Sequence, residues 1–343
     1  MKRILLLLVV AGILIVAGVG GWFFVDSGRP YKGFEGSEQF VEIPPGAGPA
    51  AIGRRLVDAG VVRDELRFRI ALWRSGQARR LQAGEYRFEG PVSPREAIDR
   101  IARGDVFLRA ITFPEGLTIR QMSEIYGRSG FGQAADFVRA AGNPEPIRDI
   151  DQAAGDLEGY LFPNTYSLPR STTAEGLVQR MVTAFRDALT ADLVEQAAAR
   201  GLSVRELVTL ASLVEKETAK PEERTIVAGV YSNRLRIGMG MQCDPTVIYA
   251  LERAGLYDGN LTRANLRFDS PYNTYRYAGL PPGPIAAPGR AALAAAANPA
   301  DVPYIYFVSR NDGSHVFATT LDEHNRNVHE YQVKPFRRAA GQQ

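Results

Sequence analysis

The sequence predicts an α+β protein carried on an N-terminal apolar helix. Three observations predict it. An uncharged apolar run occupies residues 4–25, directly after Met1-Lys2-Arg3. A strand-helix-helix-strand pattern covers residues 39–88, and a weaker copy starts near residue 111. Residues 174–218 are then strongly helical and give way to Gly-, Pro-, Asn- and Tyr-rich loops with short strands.

Composition bounds the function. The 343 residues are 45% hydrophobic and 23% charged, with 34 Gly and 21 Pro, which excludes a collagen, a long coiled coil and a disordered polymer. There is room for about two domains. A net charge of +3 is too small to suggest a nucleic-acid surface, and no nucleic-acid partner is expected. Cys243 is the single cysteine, so an internal disulfide and a multi-cysteine metal site are both excluded.

Taken in order, residues 4–25 would span about 33 Å as a helix, enough to cross a hydrocarbon core of about 30 Å. Lys2 and Arg3 then place the N-terminus in the cytoplasm, and Trp22, Phe23 and Phe24 stand where an aromatic belt belongs. The expected localisation is the cell inner membrane, single-pass, with everything after residue 26 exported. A cleaved signal peptide is the alternative: Ala17-Gly18-Val19-Gly20 offers small residues, but the run exceeds the usual h-region of about 7–15 residues. Residues 1–26 are therefore read as cytoplasmic start and anchor, and 27–37 as a tether.

In residues 38–108, Phe40-Val41-Glu42-Ile43 alternates like a strand. Ile52, Leu56 and Ala59, then Val62, Leu66 and Ile70, suggest two short helices, and Gly84-Glu85-Tyr86-Arg87-Phe88 closes with a second strand. Ser93 with Glu96 three residues on forms a capping box for a helix to Arg103. In residues 109–170, Ile111-Thr112-Phe113-Pro114-Glu115-Gly116 and Glu158-Gly159-Tyr160-Leu161-Phe162 resemble the two ends of the first pattern, with residues 129–155 elaborated between them. Residues 171–335 form the last domain, and 336–343 a polar tail. A helix is expected from 222 to 237, and loops and strands after Gly238. A buried strand at 304–308, a turn at Asn311-Asp312-Gly313, a strand at 315–318 and a helix at 321–331 follow.

The chemistry centres on the helix through residues 204–218. Leu207, Leu210, Ala211 and Val214 fall at i, i+3, i+4 and i+7, so that face is buried. At 100° per residue Glu215 and Glu217 both fall within the apolar arc, near its margins, while Lys216 points away. Carboxylates there are costly unless paired or used. Glu217 also stands in the last turn, where the negative end of the helix dipole disfavours an anion. Both effects raise a carboxyl pKa and suit a general acid. Structural ion pairs with Arg224 or Arg234 are the alternative, and the physics alone leaves both open.

Several stretches resemble the endolytic murein transglycosylases of the YceG-like family. They are Leu210-Ala-Ser-Leu-Val-Glu-Lys-Glu-Thr218, Asn233-Arg-Leu-Arg-Ile-Gly-Met239, Gln242-Cys-Asp-Pro-Thr-Val-Ile-Tyr249 and Tyr272-Asn-Thr-Tyr275. Gly279-Leu-Pro-Pro-Gly283, Ile285-Ala-Ala-Pro-Gly289, Tyr304-Ile-Tyr-Phe-Val308 and Glu323-His-Asn325 follow in the same order. The strand-helix-helix-strand units look like LysM modules. The resemblance implies a lysozyme-like active helix in a mixed helical and β catalytic domain. It also implies cleavage of β-1,4 bonds between N-acetylmuramic acid and N-acetylglucosamine within nascent peptidoglycan glycan strands. One glutamate acts as acid and then as base, leaving a 1,6-anhydro end. No cofactor is implied, and association with the peptidoglycan synthesis machinery is.

By that resemblance, and by the helix-end argument, Glu217 is the expected catalytic residue, with Glu215 and Thr218 in support. Thr218 stands where the wider group often has Ser and keeps the hydroxyl. Gln242, Tyr272, Asn273 and Tyr275 are the expected sugar contacts, offering amides and ring faces to N-acetylated sugars, although Asn and Tyr here could instead order a loop. Asp244 is expected to brace, Cys243 to do no chemistry, and residues 279–289 to form a rigid wall. His315, His324 and His329 lack metal-site spacing, so no metal is expected. Two other functions remain open: a muramidase that uses water, which needs a second carboxylate, and a membrane-anchored peptidoglycan-binding scaffold without activity.

Overall fold

Residues 2–218 and 220–335 are described by the computed structural model, with the side chains at 2–9, 19 and 23 outside the description. The polar tail expected at 336–343 lies outside the described residues. The chain divides into two units, Met1–Arg109 with Ser167–Arg170, and Ala110–Tyr166 with Ser171–Gln343.

The first unit opens with α1 (Lys2–Asp26), a helix of 25 residues. Among the described residues no helix is long and apolar enough to cross a membrane. The apolar run read from the sequence falls partly on side chains outside the description, those of 4–9, 19 and 23. After α1 the strand β1 (Gln39–Ile43) pairs antiparallel with β2 (Gly84–Phe88), Val41 opposite Tyr86. Between them lie α2 (Pro49–Asp58) and α3 (Glu65–Ser75). Each strand follows its period of two: Val41 and Ile43 point inward from β1, Tyr86 and Phe88 from β2. Pro49 starts α2 in its first turn, where a missing N–H costs nothing. Asp64 caps α3 by accepting the Arg67 N–H. The helix α4 (Pro94–Arg103) opens on the expected Ser93–Glu96 capping box. Ile52, Leu56, Phe68, Ile98 and Ile101 complete one core.

Residues 27–37, expected as a tether, carry specific contacts. Tyr31 exchanges backbone hydrogen bonds with Val92, and the Gly33 N–H donates to the Gly60 carbonyl at 2.8 Å. A Cβ on Gly60 would stand 2.7 Å from the Gly33 backbone, and its φ of +68° is left-handed, so glycine is required twice over.

The chain passes between units within β3 (Arg109–Thr112) and β4 (Thr165–Leu168), which pair with each other. Between them are α5 (Ile119–Ser129) and α6 (Ala134–Ala141), so strand-helix-helix-strand order recurs. Its closing strand is not 158–162, as expected from sequence. Glu158, Gly159, Tyr160 and Leu161 are all buried, without the alternation of a strand, and Gly159 has a φ of +84°. Alternation appears at β4, where Tyr166 and Leu168 are buried and Thr165 and Ser167 exposed.

The expected helical stretch forms three helices, α7 (Ala174–Ala188), α8 (Ala191–Ala199) and α9 (Val204–Glu217). Beyond them come α10 (Arg224–Arg236), α11 (Asp244–Arg253) and α12 (Arg290–Ala297), then the antiparallel hairpin β5 (Tyr306–Ser309) and β6 (His315–Ala318), and α13 (Leu321–Val328). The helix α9 is buried all round through its middle, from Leu207 to Val214, because α8, α10, α11 and α12 pack about it. The sequence stripe marked one face, and the neighbours cover the rest. Helices α11 and α12 replace expected loops, and β5 is half-buried where a buried strand was expected.

Candidate active site

Glu217 is the last residue of α9, so its carboxyl emerges where the helix stops and the chain turns. It is partly exposed. Its Oε2 accepts the Tyr231 hydroxyl at 3.0 Å and the Cys243 thiol at 3.5 Å. Tyr231 comes from α10, and Cys243 from the residue that caps α11. Among the described residues none donates to Oε1. Burial is the strongest influence on this carboxyl and raises its pKa, while the two donors and the nearby charge of His315 pull it back and Asp244 pushes it up. Helix-end polarity adds to the rise. Burial raises the Tyr231 hydroxyl and the Cys243 thiol well above their ordinary values too, so both remain protonated donors.

This arrangement matches a carboxylic acid with its proton on Oε1 and its carbonyl Oε2 held by two donors. After proton loss the same donors stabilise the carboxylate. Neither arginine considered from sequence pairs with Glu217. The Arg234 guanidinium is buried and donates to the carbonyls of Ile305 (2.6 Å), Met241 (2.5 Å) and Gly240 (3.3 Å). Arg224 Nη2 stands 3.9 Å from Glu215 and from Glu115.

Glu215 has a different task. Its Oε2 accepts the Gly289 N–H at 2.9 Å, and Gly289 is the cap residue of α12. A carboxylate at a helix N-terminus is favourable there. Burial still raises its pKa, offset by that N–H. Residues 279–289 run along α9: Pro282 accepts from Arg205 at 2.7 Å, Ile285 donates to Ser212 at 3.1 Å, and Gly289 donates to Glu215. That segment is the wall beside the helix. A Cβ on Gly289 would meet only the carboxyl end of the exposed Glu115 side chain, which would have to swing aside.

Thr218 is buried and bonds Glu223 at 3.3 Å. Burial raises the Glu223 carboxyl, but the His315 ring and backbone N–H groups, at 2.7 and 2.9 Å, outweigh it and hold the pKa low. The His315 ring contacts Phe307, which packs edge-on to Tyr231 at 5.8 Å, so the β5–β6 hairpin backs the donor of Glu217.

The family model described as the YceG-like family matches residues 41–330. The chain belongs to the YceG-like family. A relative called endolytic murein transglycosylase from Streptococcus pneumoniae serotype 2 (strain D39) is 31% identical over 358 residues, 94% of this chain. The chain spans 64% of that relative's length. One with the same name from Bacillus subtilis (strain 168) is 30% identical over 307 residues, covering 85% of this chain and 84% of the relative. A crystal structure of a putative YceG-like protein from Listeria monocytogenes is similar with a TM-score of 0.58 at 30% identity. It covers 84% of this chain and 98% of that one.

Within this YceG-like chain the residues expected as sugar contacts fall into two groups. Gln242 is exposed beside Cys243 with a left-handed φ of +49°, and Tyr275, 37% exposed, donates its hydroxyl to Asp244 at 2.6 Å. Both belong to the Glu217 end of α9, where Asp244 holds Tyr275 and not the segment that follows it. Tyr272 instead lines a cavity of about 250 Å³ with Arg205, Arg253, Asp156 and Glu158. Arg205 and Glu217 are twelve residues apart on α9, about 18 Å along the axis. Asn273 is fully buried. Its amide donates to the Leu266 and Phe268 carbonyls and accepts the Tyr275 N–H, so it orders the loop and offers nothing to a sugar.

Three participants escaped the sequence argument. Tyr231 and Cys243 are donors to Glu217; Tyr231 lies outside every motif named from the sequence, and Cys243 lies within one but was expected to do no chemistry. Glu158 is a buried carboxyl pushed up to about 8, chiefly by burial, against the Ile119 N–H and the Tyr249 hydroxyl that both donate to it. Both its oxygens are engaged, unlike those of Glu217. Among the described residues no cluster of His, Cys, Asp or Glu could hold a metal ion.

Proposed function

We propose that this protein is a membrane-anchored endolytic lytic transglycosylase acting on peptidoglycan, with Glu217 as its single acid and base. The observation that carries the proposal is the asymmetric carboxyl of Glu217: Oε2 fixed by Tyr231 and Cys243, Oε1 unengaged, and the pKa raised. The names of the relatives supply the substrate class.

In the first half of the reaction the Glu217 proton passes to the glycosidic oxygen as the bond from the muramyl anomeric carbon breaks. Charge grows on Glu217 in this step, and Tyr231 and Cys243 stabilise it. In the second half the carboxylate takes the proton of the muramyl 6-hydroxyl, whose oxygen bonds to the anomeric carbon. The glutamate ends protonated and no water is consumed. Of the neighbouring carboxylates, Glu223 has both oxygens held by His315 and is not free to act as the second group of a muramidase. Asp244 is exposed and accepts the Tyr275 hydroxyl on one oxygen, so the product analysis below decides between the two routes. Gln242 and Tyr275 are the sugar contacts in this scheme.

The anchor is α1, whose 25 residues would extend about 37 Å. With Lys2 and Arg3 before the apolar run, the rest of the chain lies outside the cytoplasmic membrane, where glycan strands and their synthesis machinery are. The antiparallel β1–β2 pair with two helices between supports a LysM-like first unit.

The test is digestion of purified sacculi by detergent-solubilised full chain, with mass analysis of new termini. Anhydro ends, lighter by one water than reducing ends, are expected, and Glu217→Gln is expected to lose them while retaining fold and glycan binding. Reducing ends would establish the water-using muramidase. Binding without new ends would establish the scaffold.

A further inference from the structure

The helix α3 has two apolar faces. Phe68, Ala71 and Leu72 enter the core of the first unit. Leu66, Ile70 and Trp73, at i, i+4 and i+7, form a second stripe turned outward. Leu66 is 54% exposed and Trp73 83% exposed. With Pro49, Ala50 and Arg69 the stripe lines an open cleft of about 720 Å³. An outward tryptophan in an apolar cleft marks an interaction surface.

What covers it is indicated by the helix fastened beside it. Asp26, the last residue of α1, is almost fully buried and pairs with Arg67 of α3, with Arg63 at 3.8 Å. Two helical turns further along α3, the Arg74 guanidinium lies over the Phe24 ring at 4.0 Å. The end of α1 is thus tied to α3 at two points, both from the last turn of α1. If α1 is the anchor, that turn is where bilayer meets water. Phe24 precedes Asp26, so the Arg74 end of α3, which carries Trp73, is the end nearer the bilayer. Exposed Arg69 and Arg74 rim the stripe.

We propose that the Leu66, Ile70 and Trp73 face of α3 and its cleft dock onto the headgroup–acyl boundary of the bilayer that α1 enters, with Arg69 and Arg74 meeting lipid phosphates. Tryptophan favours that boundary, and basic amphipathic helices bury their apolar face there. This rests on the anchor reading above. The contact holds the first unit flat against the membrane, so α1 is a fixed stem and not a swivel.

The protein has two tryptophans, Trp22 on α1 and Trp73 on α3, and this gives the test. The full chain is reconstituted in phosphatidylcholine–phosphatidylglycerol nanodiscs, with and without acyl-brominated lipid, as the single-tryptophan variants Trp22→Phe and Trp73→Phe. Both remaining tryptophans are expected to be quenched roughly twofold or more by brominated lipid, as for rings inserted at the acyl boundary. Quenching of Trp22 but not of Trp73 overturns the docking proposal and leaves the anchor standing. Quenching of neither overturns the anchor and the docking together. A Trp73 emission that responds to added chitooligosaccharide and not to brominated lipid makes the stripe a glycan surface and overturns the proposal.

Discussion

Tyr231 donates its hydroxyl to Oε2 of Glu217 at 3.0 Å, a bond that favours the charged form of that carboxyl. Tyr231→Phe keeps the ring against Phe307 and removes only the donor. The nascent carboxylate then lacks one stabiliser worth about 1.5 kcal/mol, which is about tenfold in rate. The expected result is a kcat for anhydro-end formation about tenfold lower with little change in KM. Cys243→Ala removes the weaker donor and should cost less, and Cys243→Ser, which keeps a donor, least. Unchanged kcat in Tyr231→Phe would separate this bond from the chemistry.

The pH dependence follows from the same group. In the proposed reaction the first step needs Glu217 protonated, and burial raises its pKa above the ordinary 4.5. Activity should therefore persist above the usual carboxylate range and fall as pH rises through the elevated pKa. Tyr231→Phe removes a bond that favours the charged form, so it should move this alkaline limb to higher pH. A pH–rate profile of kcat/KM for both proteins checks the sign. The stability sign is separate. A raised pKa contributes stability at low pH that is lost as pH rises through it. Glu217→Gln should thus be inactive yet at least as stable as the parent at alkaline pH, by urea midpoints.

Glu215 and Glu217 are two residues apart, and their partners part them completely. Glu215 accepts the N–H of Gly289 at the start of α12, so it positions the wall along α9. Glu215→Gln keeps an acceptor in place and should fold with most of its activity. Glu215→Ala leaves that N–H without its acceptor and should cost about 1–3 kcal/mol in thermal or urea unfolding. Equal loss of activity in Glu215→Gln and Glu217→Gln would contradict this division of labour.

Local rules made some features legible. The capping box at Ser93 and Glu96, the period-two strands β1 and β2, and the stripe of α9 are all written in neighbouring residues, and each formed where expected. The partial burial of Glu217 at the end of α9 was legible too, because it arises from its own helix position. Features set by distant residues were not. Nothing near Glu217 in sequence names Tyr231 or Cys243, fourteen and twenty-six residues on. Residues 158–162 copy the spacing of a strand, but Glu158 is drawn to the N-terminus of α5 and the chain turns instead. The starts of α11 and α12 looked like loops because Pro245 and Gly289 stand there. Proline in a first turn and glycine at a cap are equally helix-start signals. Asn273 faces the alternative decided by burial: its amide is consumed by two carbonyls and a backbone N–H of its own loop.

Glu158 predicts a stability effect that owes nothing to the reaction. Its carboxyl has a pKa of about 8 in the fold against an ordinary 4.5, chiefly because it is buried. Between these two values the unfolded chain has lost the proton and the folded chain still holds it. Unfolding therefore releases a proton there, and stability must fall as pH rises through that window and level off above it. The total is on the order of a few kcal/mol. Glu158→Gln has no proton to lose, and its amide oxygen can still accept the Ile119 N–H. Its stability relative to the parent should rise steadily from pH 5 to pH 9, as read from urea midpoints at fixed ionic strength. Parallel curves for the two proteins would mean that Glu158 is ionised throughout, with Arg253 and the start of α5 supplying more stabilisation than burial removes.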